Sequence, residues 1–336
     1  MKKKKILVTG ASGYIALHCI SKLLENNYFV RGSLRDLKKE SEVHSALGTK
    51  FNGGNFELCK LNLLEDEGWD RAIANCDYLM HIASPCVIKE PSDEKEIIEP
   101  AVKGTLRALK AAYNSKTIKK VILTSSIGSI IYGNSNKICY PSDWTDISYP
   151  VGAYIKSKTL AEKAAWDFYY GLKKRSFQMT SILPGMVFGP LLNKQTKATS
   201  ANLILRLIKG SFPALPNIYF SIVDVRDVAK LHVDSITNID SDNKRVIASS
   251  SKAISFLEIS KILRELGHSK STLKLVPNQI INLLALFNKD IRISASMIKR
   301  GRFSLDISET ISLYNWDPID LNKTMLDMSN SLREFF

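Results

Sequence analysis

The side chains with the clearest chemical consequence are Tyr154 and Lys158, whose four-residue separation places them on one face of a helix. A phenol with a pKa of about 10 is a poor acid or base near neutrality until a nearby cation favours the phenolate. Lys158 and an oxidised nicotinamide ring would both do that. Tyr154 would then give a proton to a carbonyl oxygen as hydride reaches the carbon, and remove it in the reverse direction. Ser126, in Thr124-Ser125-Ser126-Ile127-Gly128, offers a hydroxyl to the same oxygen; a local backbone bond or cap is its other reading. Spacing alone does not select the pair, because Tyr169/Lys173 and Tyr170/Lys174 share it. Position does. Tyr154 opens its helix directly after the loop that follows Ser126, whereas the other pairs lie about four turns on, roughly 22 Å at 1.5 Å per residue.

A carrier for the hydride is indicated by Thr9-Gly10-Ala11-Ser12-Gly13-Tyr14-Ile15-Ala16, which follows a short apolar run and opens a helical one. Gly10 and Gly13 would let the backbone approach a pyrophosphate, and the helix N-terminus around Ser12, Tyr14 and Ile15 would supply free N–H groups and a positive dipole end. An ordinary glycine-bearing turn is the alternative. About 20 residues later comes Arg35-Asp36, where an arginine would hold the 2′-phosphate of NADP and an acid the 2′-hydroxyl of NAD. Arg35 stands first, and Lys38 and Lys39 add positive charge, so NADP(H) is the expected cofactor, with Arg35 and Lys39 in its site. Further contacts are expected at Asn62 and Leu63, at Ile82, Ala83 and Ser84, and at Thr124, with an ordinary turn as the other reading of the first two segments. Last comes the segment from Leu183 to Pro190, expected as a rigid turn in which Pro184, Gly185 and Val187 hold the nicotinamide amide.

These residues are positioned by an alternation of elements. Strands are expected at 5–9, 28–34, 56–61, 78–83, 120–125 and 178–183, and helices at 14–25, 65–74, 94–113 and 153–172. Such alternation implies right-handed crossovers and a doubly wound parallel sheet with helices on both faces, whose ligand lies at the carboxyl ends of the strands. After Pro184 the rhythm breaks at Gly185, Gly189, Pro190, Pro213 and Pro216. Residues 1–184 are therefore expected to bind the dinucleotide. Residues 185–336 are expected to form mainly a smaller substrate-binding part, with some segments, such as a strand at 245–248, returning to the core; a helix is expected at 256–266.

Composition narrows the class of protein. With 336 residues and 45% hydrophobic side chains the chain has the profile of an ordinary globular protein. The formal charge of +14 is spread along the chain rather than clustered, so a solvated basic surface is expected and no nucleic-acid partner. Lys2 to Lys5 precede only Ile6-Leu7-Val8, too few apolar residues for a secretion signal. The longest later apolar run, Ile280 to Phe287, is interrupted by Asn282 and is far too short to span a bilayer, so no membrane partner and a cytoplasmic location are expected. The five cysteines (Cys19, Cys59, Cys76, Cys86, Cys139) form no Cys-x-x-Cys pair and read as reduced, mostly buried thiols with no metal site.

Taken together, the chain resembles the extended short-chain dehydrogenases/reductases, a Rossmann-fold group, and within them the dihydroflavonol reductases and the fungal methylglyoxal or ketone reductases. The resemblance runs through Val8 to Ala16, His81-Ile82-Ala83-Ser84-Pro85, Thr124-Ser125-Ser126, Tyr154-Ile155-Lys156-Ser157-Lys158 with the following Thr159 to Trp166, and Val223 to Ala229. It implies the roles given above for Ser126, Tyr154 and Lys158, and NADPH where an arginine occupies the place of Arg35. Asn62 stands where the family usually has an adenine-contacting Asp, and Ala16 is a further departure. Ile131 replaces the Asn with which flavonoid reductases grip their substrate, and Ile155 replaces a frequent Phe, so a flavonoid is not the expected substrate. With Ser126, Ile131, Ile155 and Met186 lining the pocket, the expectation is an NADPH-dependent carbonyl reductase acting on a small apolar aldehyde or ketone, as a monomer or homodimer. A hydroxysteroid dehydrogenase, a sugar-nucleotide epimerase or dehydratase, and a non-catalytic NADP-sensing regulator are the alternatives.

Overall fold

The computed structural model describes residues 3–48, 54–85, 90–133, 137–194 and 199–336. The first half of the chain runs β1 (Lys5–Val8), α1 (Tyr14–Glu25), β2 (Phe29–Leu34), α2 (Glu40–Leu47), β3 (Phe56–Lys60), α3 (Trp69–Ile73), β4 (Tyr78–His81), α4 (Lys95–Ser115) and β5 (Lys120–Thr124). It continues through β6 (Ile138–Cys139), α5 (Ala153–Tyr170), β7 (Gln178–Pro184), β8 (Met186–Phe188), α6 (Thr199–Ile208), β9 (Tyr219–Phe220), β10 (Ile222–Asp224) and α7 (Val225–Asp234). The remainder is β11 (Arg245–Ala248), β12 (Ile254–Ser255), α8 (Phe256–Glu265), α9 (Asn278–Leu284), α10 (Lys289–Arg300), β13 (Ser304–Leu305), α11 (Ser308–Tyr314) and α12 (Leu321–Phe335).

Among the described residues seven strands form one parallel sheet in the order β3-β2-β1-β4-β5-β7-β11. From β1 the chain winds outward through β2 and β3, crosses back to β4 and winds the other way. The carboxyl ends of β1 and β4 therefore border the crevice where the winding reverses, the place at which doubly wound sheets bind ligands. Successive residues of a strand face opposite sides: Ile6 and Val8 pack with Leu17, Ile20 and Leu23 of α1 and Val228 of α7, while Leu7 packs with Leu109 of α4 and Ala165 of α5. Both faces are covered, which is why these strands read as continuous apolar runs. A third core, including Phe188, Ile204, Phe220, Phe256, Ile259 and Met328, is built from residues after 187 and meets the rest of the protein partly through Tyr14.

Two expectations need correction. Helix α3 covers Trp69–Ile73 rather than 65–74, because Gly68 adopts the left-handed φ of 90° and Asn62 Oδ1 accepts from Leu64 N, holding the preceding residues in turns. The segment 185–190 is not simply a turn: Met186–Phe188 forms β8, paired in parallel with the distant β10. After β2 a 3₁₀ turn (Leu37–Lys39) runs into α2. Cys19, Cys76 and Cys139 are buried free thiols and Cys59 is half-buried, while Cys86 lies outside the described residues. No helix among the described residues is long and apolar enough to cross a membrane.

Candidate active site

The crevice is tied together by the turns after β1, β2 and β4. Gly10 has φ 74°, and a Cβ there would lie 3.0 Å from Ala83 Cβ, so the two loops approach only because this residue is glycine. Ala11 N donates to Ser33 O at 2.8 Å, and Gly13 N to Gly10 O at 2.8 Å. Gly13 then starts α1 with no side-chain cap and no acid in the first turn, the arrangement in which a helix N-terminus is open to an anion. Tyr14 turns away from the crevice floor: its hydroxyl donates to Gly189 O at 2.7 Å, and burial pushes its pKa well up. His18 Nε2 lies 2.9 Å from Pro190 O, so α1 is pinned to the segment that follows β8.

Thr9 sets the tautomer of a buried histidine. Its Oγ1 accepts from Ile82 N and Ala83 N, both at 3.0 Å, so its single proton points to His81 Nδ1, also 3.0 Å away. The ring hydrogen of His81 is then on Nε2. Burial first, and the charge of Lys158 second, push the His81 pKa down to about 3, so the ring is neutral at neutral pH. One strand further along, Thr124 is held from two sides. Its Oγ1 lies 2.8 Å from Nε2 of His232, whose Nδ1 donates to Val228 O at 2.8 Å, which leaves Nε2 as the acceptor; burial lowers this pKa to about 4. The carbonyl of Thr124 accepts from Lys158 Nζ at 3.1 Å.

Helix α5 carries the predicted pair. Gly152 precedes it at φ 83°, and Ala153 N donates to both carboxylate oxygens of Glu90 at 3.1 Å, fixing the first turn. Tyr154 is half-buried in that turn, and Lys158, one turn on, is 7% exposed with its ammonium at the end of β5. Ser126 begins the 3₁₀ turn Ile127–Ser129, where its Oγ accepts from Gly128 N at 3.0 Å; the hydroxyl proton is left for another acceptor. A Cβ on Gly128 would fall 2.5 Å from Ile155 Cδ1, so this turn lies directly against the start of α5. The rival tyrosines sit elsewhere. Tyr169 is fully buried with its hydroxyl 2.6 Å from Asn243 Oδ1 and 3.1 Å from Oε1 of Gln178, the residue that opens β7, and Tyr170 is exposed and stacked on Trp166.

The other expected contacts lie around the crevice. Arg35 is exposed after β2, whereas Asp36 directs Oδ1 to Lys38 N at 3.0 Å, capping the 3₁₀ turn that contains Lys39. Asn62 is engaged with its own loop, with Nδ2 donating to Glu65 Oε1 at 2.7 Å and Arg107 Nη1 donating to the next carbonyl, Leu63 O, at 3.0 Å. Ser84 borders a small cavity also lined by His81, Thr105, Ser125, Lys158 and Glu162. Pro184 ends β7. Gly185 has no room for a side chain, since a Cβ would meet Ser249 Oγ at 2.0 Å and Ser221 O at 2.5 Å. Met186 and Val187 follow in β8; Met186 and Ile155 are half-buried and Ile131 is buried.

A charged cluster beneath the site went unread. Glu162, 1% exposed, accepts through Oε2 from Ser125 Oγ (2.6 Å), Ser129 Oγ (2.8 Å) and Arg245 Nη2 (3.0 Å). Through Oε1 it accepts from Ser181 Oγ (2.6 Å), Arg245 Nε (2.8 Å) and Trp166 Nε1 (3.3 Å). Burial alone would raise the carboxyl pKa; Arg245 and the serine hydroxyls outweigh it and hold the group charged, below the usual range. The cluster binds α5, β5, β7 and β11 together on both sides of Ser126. Its signal was the spacing of Tyr154, Lys158 and Glu162, three residues at four-residue steps on one helix face.

Comparison with known proteins agrees with this architecture. Residues 6–248 match the model of the NAD dependent epimerase/dehydratase family. The chain is 35% identical over 268 residues to a cinnamoyl-CoA reductase of Medicago truncatula, covering 78% of this chain and 80% of that one. It is 34% identical over 278 residues to a dihydroflavonol 4-reductase of Arabidopsis thaliana, covering 78% and 69%. Among solved structures, Gre2 of Candida albicans in complex with NADPH superposes with a TM-score of 0.79 at 26% identity, covering 98% of this chain and 99% of that one. This protein belongs to the NAD dependent epimerase/dehydratase family and, within it, to the extended short-chain dehydrogenases/reductases, a group of NAD(P)-dependent oxidoreductases.

Proposed function

We propose that this chain reduces a small apolar aldehyde or ketone to the alcohol, with NADPH as the hydride donor and Tyr154 as general acid. The observation that carries the reading is the buried Lys158 ammonium at the end of β5, one turn beyond Tyr154 at the start of α5. A cation there favours the phenolate, so proton transfer from Tyr154 to the substrate oxygen becomes feasible near neutral pH. Ser126, whose oxygen already accepts from Gly128 N, has its proton free to hold the same carbonyl oxygen. The cofactor, when bound, supplies the hydride.

One feature in particular fits a dinucleotide: the uncapped α1 N-terminus behind Gly10 and Gly13. NADPH is favoured because Asp36 is occupied in capping its own turn while Arg35 remains exposed for a 2′-phosphate, with Lys39 nearby. The same feature disfavours a sugar-nucleotide epimerase, which would need an acid for the ribose of a resident NAD. Ile131, Ile155 and Met186 give the pocket its apolar lining. Residues 1–184 serve as the dinucleotide part and residues 185–336 mainly as the substrate part, with β11 and α7 returning to the core; we assign a monomer or homodimer in the cytoplasm. The test is consumption of NADPH and NADH with a panel of aldehydes and ketones, for the wild type and Arg35→Ala. Preference for NADPH that Arg35→Ala reduces by about tenfold or more supports the reading; a preference for NADH, or no turnover of any carbonyl, overturns it.

A further inference from the structure

The interrupted apolar run 280–287 has no part in the site described above. Helix α9 turns Ile281 inward at 8% exposure, and Ala285 just beyond it is buried, which accounts for the stripe that holds the helix to the protein. Its outer side should then be polar, as Gln279 and Asn282 are, yet Ile280, Leu283 and Leu284 of the helix and Leu286 and Phe287 of the turn beyond it are all exposed, Phe287 at 85%. A contiguous exposed apolar cluster of this kind is one that something covers. The charge around it indicates what. Lys270, Lys274, Lys289, Arg292 and Lys299 are exposed on the flanking segments, Lys289 donating to Ser92 O at 3.2 Å, Arg292 Nε to Ala285 O at 3.3 Å and Lys299 lying over the Tyr149 ring, interactions that leave their charge unneutralised; the single acidic residue between Lys270 and Lys299 is Asp290, which accepts from Glu90 N at 2.9 Å.

We infer that this face docks on an anionic lipid surface, with Leu283, Leu286 and Phe287 entering the headgroup boundary and the surrounding lysines and arginine meeting lipid phosphates and carboxylates. Apolar burial and attraction of cations to anionic lipid act together in such docking. A second copy of the chain is the less suitable cover, because a two-fold contact through this face would bring the same cations against one another. Docking would also place the lipid surface beside the reactive end of the molecule: Asp290 of α10 holds Glu90, Glu90 holds the first turn of α5, and Ile293 lies against Gly152. This inference revises the expectation of no membrane partner, which rested on the absence of a spanning run. It stands independently of the hydride-transfer reading.

Co-sedimentation of the full chain with phosphatidylcholine vesicles, with and without phosphatidylserine, tests it. The wild type should pellet with the anionic vesicles and much less with phosphatidylcholine alone, and added salt should release it. Phe287→Asp and Leu283→Asp, both at exposed positions and expected to keep the wild-type melting temperature, should each weaken partitioning by about tenfold or more. Lys274→Glu should weaken it by roughly fivefold or more. A wild type that stays in solution, equal pelleting with both vesicle types, or undiminished pelleting of Phe287→Asp overturns the inference. So does a dimer in sedimentation velocity that Phe287→Asp disperses while vesicles leave the chain unbound, which would make a second copy the cover.

Discussion

Two of the buried histidines, His81 and His232, should make the protein acid-labile in a window above the carboxylate range. His81 and His232 have folded pKa values pushed down to about 3 and about 4 from an ordinary 6.5, in both cases chiefly by burial. The folded values lie below the unfolded ones, so the unfolded state binds more protons below pH 6.5, and stability is complete above that value and falls as pH drops toward the folded pKa. Each group costs about 1.4 kcal/mol per pH unit in that window. At about pH 5 this is about 2 kcal/mol each and about 4 kcal/mol together, a large part of the 5–15 kcal/mol that typically separates folded from unfolded chains. His268, lowered by burial and by Arg333, adds in the same direction. Glu162 adds no slope in this window, because its pKa is lowered: its stabilisation is fully present above the ordinary 4.5 and is lost only below that value. Urea unfolding followed by tryptophan fluorescence from about pH 7.5 to about pH 5 measures the effect. His232→Gln, which keeps an amide to accept from the Thr124 hydroxyl but does not titrate, should remove about 1.4 kcal/mol per pH unit of the slope. Equal stability at the two ends of the range, or imidazole resonances of both histidines titrating near 6.5 in the folded protein, would refute the reasoning.

Removing one partner of the buried charge cluster should be severe: Glu162→Ala leaves Arg245 without its counter-charge and the Ser125 and Ser181 hydroxyls without their acceptor, and should cost about 3–5 kcal/mol in urea unfolding. A loss below about 1 kcal/mol would show that the cluster is dispensable. Gly185→Ala puts a Cβ 2.0 Å from Ser249 Oγ and 2.5 Å from the Ser221 carbonyl, which cannot rotate aside. It should lower stability by about 3 kcal/mol, read as a fall in thermal midpoint, and an unchanged midpoint would contradict the crowding.

The parts of this molecule that were legible in its sequence are those with local causes. Lys5–Val8 and Lys120–Thr124 read as strands because both faces of the sheet are covered and the positions after the opening lysine, Ile6 to Val8 and Val121 to Leu123, are apolar without a break. Helix α1 was readable end to end, since Gly13 and Asn26 bound a clear apolar periodicity. What escaped depends on distant partners. β8 is three residues between glycines, and only its pairing with β10 makes it a strand. Helix α2 buries just Val43 and Leu47, too thin a stripe to announce itself. Glu162 was within reach of the spacing argument, but its meaning comes from Arg245, which arrives only because β11 lies beside β7. The turn after β1 was legible for the opposite reason: Gly10 acts through a left-handed backbone conformation, a property that glycine advertises wherever it occurs.

Whether this site performs carbonyl reduction through Tyr154 is tested most directly by Tyr154→Phe, which deletes one oxygen and leaves the ring in place. NADPH oxidation by the best carbonyl found in the panel should fall by about 10²–10⁴-fold in kcat, with NADPH binding retained. Turnover at the wild-type rate in that variant would contradict the assignment of Tyr154 and the mechanism built on it.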